Sequence, residues 1–268
     1  MNIKQTMILI NVVVTAIVAG LIGWMMLGEY RVLTTMKAAS QAGQVVAGIS
    51  TATIELSLER SLTQVALSLD EPVKPEIERM IADQREKSAK LYREAVGSIE
   101  ASYAIENRAQ LIGRLNGYLN EIASLRATAD REMRRPLKDR DLGKVKSIPT
   151  EIKALVSKID RLNGEARTLM RTSQPKIIGT DLVVQRAFAV REYGGRERTI
   201  FAIATARGEP INQEDLFYAK ENNGRASQAW ELLDAAMQNP NLTSEVKSAI
   251  RDLGDKYFGA YQSLREAM

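Results

Sequence analysis

Arginines that follow a glutamate on predicted helices are the residues of this sequence best suited to recognise a ligand. Arg60 lies in Glu59-Arg60-Ser61 and Arg198 lies in Glu197-Arg198-Thr199, and an apolar helical run follows each segment. Arg191 precedes Arg198 by two helical turns, so both fall on one face. A guanidinium has only fixed N–H donors and no acceptor, which suits two parallel bonds to a carboxylate, nitrate or phosphate. We therefore predict that Arg60 and Arg198, supported by Arg191, bind a small anion.

The faces that carry these arginines can come close to another helix or to a ligand. In helical projection Arg60 lies opposite the main apolar stripe of its helix, on a second, partly apolar face. Gly194 and Gly195 lie beside the other two arginines. Each glycine lowers the stability of a helix by roughly 1 kcal/mol relative to Ala, and a close contact can offset this loss. The alternative interpretation is that the arginines form ion pairs within the fold. Their partners would then be Glu59, Glu192 and Glu197 or residues of other helices.

The residue inventory argues against an enzyme. The chain has no Cys and no His, which removes disulfides, thiol nucleophiles and the commonest general base and metal ligand. No constellation of carboxylates or lysines of a catalytic kind stands out, so we predict a binding protein without catalytic residues, cofactor or metal. The net charge of +4 is small and spread along the chain, which also argues against nucleic acid as a partner.

Residues 7–27 predict one transmembrane helix. They read MILINVVVTAIVAGLIGWMML, contain no charged side chain and match the ~20 apolar residues that cross a bilayer core. A cleavable signal peptide is the alternative, but its apolar region is usually shorter and a small-residue cleavage site follows it. We therefore expect an uncleaved anchor over residues 7–27, with residues 1–6 before it and residues 28–268 after it. The charges on the two sides of the span barely decide its orientation.

Helical periodicity covers the rest of the chain, and no alternating run of Val, Ile or Thr predicts a strand. A polar connector is expected at residues 136–149, with Thr150 as the next helix cap and with kinks at Gly113 and Gly117. Turns are expected near Pro72, Pro175, Gly208-Pro210 and Pro240. The predicted helices cover residues 29–69, 75–135, 150–173, 176–207, 213–238 and 243–268.

This pattern predicts an all-α fold, in which one transmembrane helix precedes an elongated antiparallel helical bundle. The length allows either one four-helix bundle with additions or two stacked bundles. The last helix is expected to run back towards the membrane.

A second partly apolar face on the first helix predicts a homodimer. Ile49, Leu56, Thr63 and Leu67 share this face, which would be wasted in water. We therefore expect the first long helix to pack against its symmetry mate.

The order of these features resembles the sensing regions of bacterial transmembrane receptors, especially methyl-accepting chemotaxis proteins. The segment Arg191-Glu192-Tyr193-Gly194-Gly195-Arg196-Glu197-Arg198 is similar to one often found in such receptors. The two Glu-Arg-Ser/Thr segments are similar to those of nitrate- and nitrite-sensing (NIT-type) helical domains. In those domains arginines on the helices bind the anion, so the resemblance implies this role for Arg60 and Arg198, with Arg191 in support.

The resemblance implies a ligand-sensing region for chemotaxis or a related form of signal transduction. It also implies that residues 1–6 lie in the cytoplasm, that the anchor lies in the inner membrane of a bacterium, and that residues 28–268 form an extracytoplasmic, periplasmic sensor domain. Such a region binds a small anion or organic acid and passes a conformational change through the membrane. A cytoplasmic signalling module would then be expected beyond Met268. Two alternatives stay open: a helical bimodular sensor with other ligands, and a membrane-anchored adaptor or structural protein without a small ligand.

Overall fold

The protein is all-helical. A computed structural model describes the backbone of residues 3–102, 105, 107–173, 178–240 and 242–266, and side chains at 26, 30–38, 40–102, 105, 107–168, 182–240, 242–263 and 265. About 89% of the chain is helical and no strand occurs in these ranges, which confirms the predicted all-α class. The helices are α1 (Ile3–Ser68), α2 (Pro75–Ala101), α3 (Arg108–Met133), α4 (Leu142–Ser173), α5 (Ile178–Arg207), α6 (Gln213–Ala236), α7 (Ser244–Gly254) and α8 (Gln262–Glu266). A 3-10 turn (Leu137–Asp139) precedes α4, and a π-helical segment (Asp255–Tyr261) joins α7 to α8.

The turn between α1 and α2 lies where proline predicts it. Pro75 is the first residue of α2, where its fixed φ suits the first helical turn. Buried Arg140 donates from its guanidinium to the carbonyl oxygens of Leu67, at 2.7 Å, and Glu71, at 2.9 Å. Because the last carbonyls of a helix have no partner within it, Arg140 satisfies the end of α1 from a distant part of the chain.

The predicted helix over residues 75–135 is wrong, because two helices occupy this stretch. α2 ends at Ala101, and α3 begins at Arg108 and continues through both Gly113 and Gly117. The backbone N–H of Ser102 donates to the carbonyl of Ile99, at 3.2 Å, and Ile105 is buried in the core. Residues 101–108 contain no proline or glycine, so no local sequence signal marks this break.

The predicted connector over residues 136–149 is also wrong in its second half, since α4 begins at Leu142 and contains Pro149. The carboxylate of Asp141 accepts hydrogen bonds from the backbone N–H groups of Gly143 and Lys144, at 3.0 and 3.2 Å. Asp141 therefore caps α4. Thr150 lies inside the helix and donates its hydroxyl to the carbonyl of Lys146.

The later predicted boundaries are confirmed where the structure describes them. α5 ends at Arg207, and Gly208 follows with a φ of 67°, a left-handed conformation that favours glycine. The side chain of Asn212 caps α6 by accepting from the N–H of Asp215 at 2.8 Å, and Thr243 caps α7. Pro175, Asn241 and residues 267–268 lie outside the described residues.

Helices α1 to α4 form the first bundle around one apolar core. Near its end α1 meets Arg140, which precedes α4, whereas further back Asn163 of α4 donates to Ser50 of α1 at 2.8 Å. Thus α4 runs antiparallel to α1. The most buried large side chains of this core are Ile49, Leu56, Leu67, Ile81, Ile99, Leu115, Ile122, Met133, Ile148, Ile152, Ile159 and Leu162.

A second group, formed by α5, α6 and α7, packs against α1. Its core consists of Val183, Leu233, Leu242 and Ile250. Arg191 of α5 donates to the carbonyl of Ile54 at 3.2 Å, and Arg207 donates to that of Ser68 at 2.7 Å. The later residue of α5 contacts the later residue of α1, so α5 runs parallel to α1. Helix α1 therefore belongs to both groups.

The face of α1 that predicted a dimer contact is buried inside this one chain. Ile49, Leu56, Thr63 and Leu67 are each at most 1% exposed. The predicted interface around them is wrong, because α2, α4 and α5 of the same chain cover α1. The homodimer itself stays a prediction.

The last described helices run away from the start of α1. Ile250 packs with Val183, whereas Arg265 reaches Glu197, at 3.0 Å, further along α5. The segment from α7 to α8 is therefore parallel to α5 and to α1. The expectation that the last helix runs back towards the membrane is wrong for the residues that the structure describes.

No helix within the described residues is both long and apolar enough to cross a bilayer. The side chains of residues 7–25 and 27 lie outside the described ones. The transmembrane helix over residues 7–27 therefore stays a prediction.

Candidate functional site

A groove of about 540 Å³ between α1, α4, α5 and α6 collects basic side chains. Five of the side chains that line it are cationic, namely Arg60, Lys146, Lys153, Arg196 and Arg207. The acidic side chain in the lining is Asp215. We call this the basic groove. Its excess of positive charge suits an anionic ligand.

Arg60 is the buried cation of the basic groove. Its side chain is 6% exposed, and its Nη2 lies 3.6 Å from a carboxylate oxygen of Glu192. Its Nε makes no hydrogen bond to any described residue. Burial lowers the pKa of Arg60, and Glu192 opposes this effect. The guanidinium stays charged at neutral pH, because arginine starts from so high a pKa, and it keeps a donor free for a ligand.

Glu192 holds the two arginines of the groove in place. Its Oε1 accepts from the Nε of Arg196 at 2.9 Å and also faces Arg60. Burial raises the pKa of this carboxyl, but Arg60 and Arg196 outweigh burial, so the pKa lies below its ordinary value. One ionised carboxylate is thus shared by two guanidiniums, and the pair keeps a net positive charge.

Lys153 adds a third cation to this end of the groove. Burial lowers the pKa of its amine first, and the nearby positive charges of Arg196 and Arg60 lower it further. Like charges held this close repel one another. An anion bound among them would relieve that repulsion.

The opposite end of the groove contains Arg207, Lys146 and Asp215. The Nε of Arg207 donates to the carbonyl of Ser68, the last residue of α1. Asp215 lies in the first turn of α6, and Asn212 donates its amide to that carboxylate at 2.7 Å. Arg207 and Lys146 are both exposed, so their side chains are free to reach a ligand.

The other two predicted arginines lie in a separate cavity. Arg191 and Arg198 line a space of about 340 Å³ together with Gly195, Tyr257 and Tyr261. Arg198 is exposed and Arg191 is half-buried. Burial lowers the pKa of Arg191, while Glu55 and Glu192 oppose it. We call this the tyrosine cavity.

Arg60 and Arg198 are therefore not brought together, contrary to the expectation that they share one anion. Arg196 and Arg198 lie about 160° apart around α5. The face with Arg196 meets Arg60 in the basic groove, and the face with Arg198 turns to the tyrosine cavity. The other four cations of the basic groove are residues that sequence reasoning missed: Lys146, Lys153, Arg196 and Arg207. Arg196 stood four residues after Glu192, but nothing in the sequence placed α4 beside it.

The glutamates of the two arginine segments, Glu59 and Glu197, are buried and bind side chains of other helices. Glu59, 1% exposed, accepts from Arg85 of α2 and Arg126 of α3. Glu197, also 1% exposed, accepts from Tyr257 at 2.7 Å and from Arg265 at 3.0 Å. The ion-pair alternative is confirmed for Arg60, which pairs with Glu192. Glu59 and Glu197 pair instead with arginines of other helices.

The approach predicted at the glycine pair occurs at Gly194. A Cβ built there would lie 2.3 Å from the Cε2 of Tyr257, which no real structure permits, whereas one at Gly195 meets nothing within 4 Å. Glycine at position 194 therefore lets the π-helical segment pack on α5. Tyr257, whose ring meets Gly194, also lines the tyrosine cavity.

Within the described residues, no cluster of acidic side chains is arranged to hold a metal ion. Both cavities present donors and positive charge, which is the chemistry of anion binding. Comparison of the chain with protein-family models, with curated proteins and with solved structures finds no match. The proposals below therefore rest on the residues and their geometry.

Proposed function

We propose that this chain is the ligand-sensing region of a bacterial transmembrane receptor and that it binds a small anion in the basic groove. The observation that carries the anion is Arg60, a buried guanidinium with a free Nε in a groove rich in positive charge. A buried donor without a partner is costly, so a ligand acceptor there would stabilise the folded chain. The resemblance to chemoreceptor sensing regions supports the receptor role.

The groove is placed where ligand binding can act on α1. It is bounded by α1 on one side and by α5 and α6 on the other. An anion that bridges Arg60 and Arg196 would favour one arrangement of α5 against α1. Binding can shift such an equilibrium only as far as the anion prefers one arrangement.

Calorimetry on the full chain in detergent tests the binding site. Nitrate, orthophosphate, acetate and succinate are titrated into the wild type, Arg60→Gln and Arg198→Gln. We expect at least one anion to bind, and Arg60→Gln to weaken it by roughly tenfold to a hundredfold, the loss of one charge-assisted bond.

Arg161→Gln is the matched control, because Arg161 is an exposed arginine of α4 outside the groove. Its affinity should equal that of the wild type. If Arg198→Gln abolishes binding and Arg60→Gln does not, the site is the tyrosine cavity. If no anion binds, the proposal fails.

A further inference from the structure

The cations of the basic groove fall into two groups along its length. Lys146 and Lys153 are two turns apart on α4, a rise of about 10 Å, and Arg196 and Arg207 are separated by about 16 Å along α5. Arg60 lies with Lys153 and Arg196, since each of these charges acts on the pKa of another. Arg207 bonds to Ser68, about 12 Å further along α1 than Arg60.

Each group keeps more positive than negative charge. At the Arg60 end, the carboxylate of Glu192 faces three cations. At the Arg207 end, Asp215 is the carboxylate in the lining and is held by Asn212. Neither end is neutralised by its own acid, so each end can take an anionic group.

The lining of the basic groove also includes uncharged side chains. Some are polar, such as Gln64, Thr199 and Asn222. Others are apolar, namely Val145, Pro149, Ile200 and Ile203. These side chains offer no hydrogen-bonding group, so they suit a hydrocarbon or otherwise uncharged middle of a ligand.

We infer that the ligand of the basic groove is an elongated organic dianion, with one anionic group bound at each end and an uncharged middle between them. This inference rests on the proposed function and refines it. A monovalent ion uses only one group of cations, and a compact polyvalent ion cannot reach both. A ligand that spans both groups of cations binds more tightly, because its two anionic groups are linked and bind together.

Titration of the full chain with acids of increasing length tests the inference. Succinate, adipate, suberate and sebacate differ in the distance between their carboxylates, and octanoate matches suberate with one carboxylate removed. We expect affinity to rise with length to a maximum within the series. Octanoate should bind at least tenfold more weakly than suberate, because one charge-assisted contact is lost.

Variants at the far end separate this inference from simple anion binding. Arg207→Gln and Lys146→Gln should weaken the best dicarboxylate by roughly tenfold and should weaken acetate less, because acetate can still bind at the Arg60 end. Arg60→Gln should weaken both acids, and Arg161→Gln neither. Lys146 is exposed and bonds to no helix end, so its variant stays informative if Arg207→Gln fails to fold.

The inference is overturned if no dicarboxylate exceeds octanoate, if orthophosphate exceeds the whole series, or if both far-end variants bind the best dicarboxylate like the wild type. In those cases Arg60-dependent binding of acetate or phosphate would still uphold the proposed function. If neither the acids nor phosphate bind, the inference and the proposed function both fail.

Discussion

At the scale of single residues, glutamates position the arginines of this protein. Glu59 accepts hydrogen bonds from Arg85 and Arg126, and Glu197 accepts them from Tyr257 and Arg265. Glu192 differs because its partners, Arg60 and Arg196, line a groove. Two guanidiniums compete for one carboxylate there, so the ion pair orients both without using all their donors.

In the Glu192→Gln variant, the free energy of unfolding should change less with pH in the acid range than in the wild type. The folded-state pKa of Glu192 is depressed, so its contribution is complete above the ordinary glutamate pKa and is lost as the pH falls through the depressed value. At neutral pH we expect the variant to lose about 2 kcal/mol of unfolding free energy. Below the depressed pKa the difference from the wild type should shrink, because Glu192 is then protonated as well.

Urea unfolding over a range of pH measures this difference. Glu231→Gln is the control, since Glu231 is exposed on α6 and should show no difference at any pH. A deficit in Glu192→Gln that is equally large in acid and at neutral pH would show that the charge of Glu192 is not what stabilises the groove.

At the scale of helices, α5 organises both cavities. One of its faces completes the basic groove beside α1 and α4. The opposite face receives the π-helical segment through Gly194 and forms the tyrosine cavity. A helix with a ligand-sized space on each side needs small residues where a neighbour comes close and long ones where it does not.

The neighbouring glycines of α5 should respond in opposite ways to alanine. Gly194→Ala places a methyl group against the ring of Tyr257 and should lower the free energy of unfolding by about 1–3 kcal/mol, the usual cost of overpacking. Gly195→Ala meets open space and should raise it by up to about 1 kcal/mol, because alanine favours helix. Urea denaturation of the two variants side by side makes the comparison. Equal effects would place the π-helical segment elsewhere.

The sequence was informative for helices wherever proline, glycine or a capping side chain marked their ends. The limits at Pro75, Gly208, Asn212 and Thr243 follow from local chemistry and are confirmed. The sequence does not predict the break between α2 and α3, because residues 101–108 contain no proline or glycine to mark it. The early start of α4 was missed because Pro149, which usually ends a helix, here lies inside one.

The candidate site was only partly readable for the same reason. Residue type and face singled out Arg60, Arg191 and Arg198 as ligand-binding candidates. Which helix faces which is decided by packing between distant segments. The face of Ile49 and Leu56 was assigned to a second copy, whereas α2 and α4 of the same chain bury it.

At the scale of the whole molecule, α1 is the helix that both helical groups contact. Near its C-terminal end, α1 contacts α2 and α3 through Glu59 and α5 through Arg60. A ligand in the basic groove therefore acts next to the helix that continues back to residues 7–27. For the proposed sensor this arrangement is useful only if the groove faces the outside of the cell, where an external anion can reach it.

Thiol labelling in intact bacteria tests that orientation directly, because the chain has no Cys of its own. Lys90 is exposed on α2, and Gln5 precedes the predicted span. If residues 7–27 anchor the chain with its bundles outside, a membrane-impermeant maleimide should label Lys90→Cys in whole cells. Gln5→Cys should be labelled only after lysis, which also controls for leakage. Labelling of Lys90→Cys only after lysis would place the basic groove inside the cell and remove the basis for an external ligand.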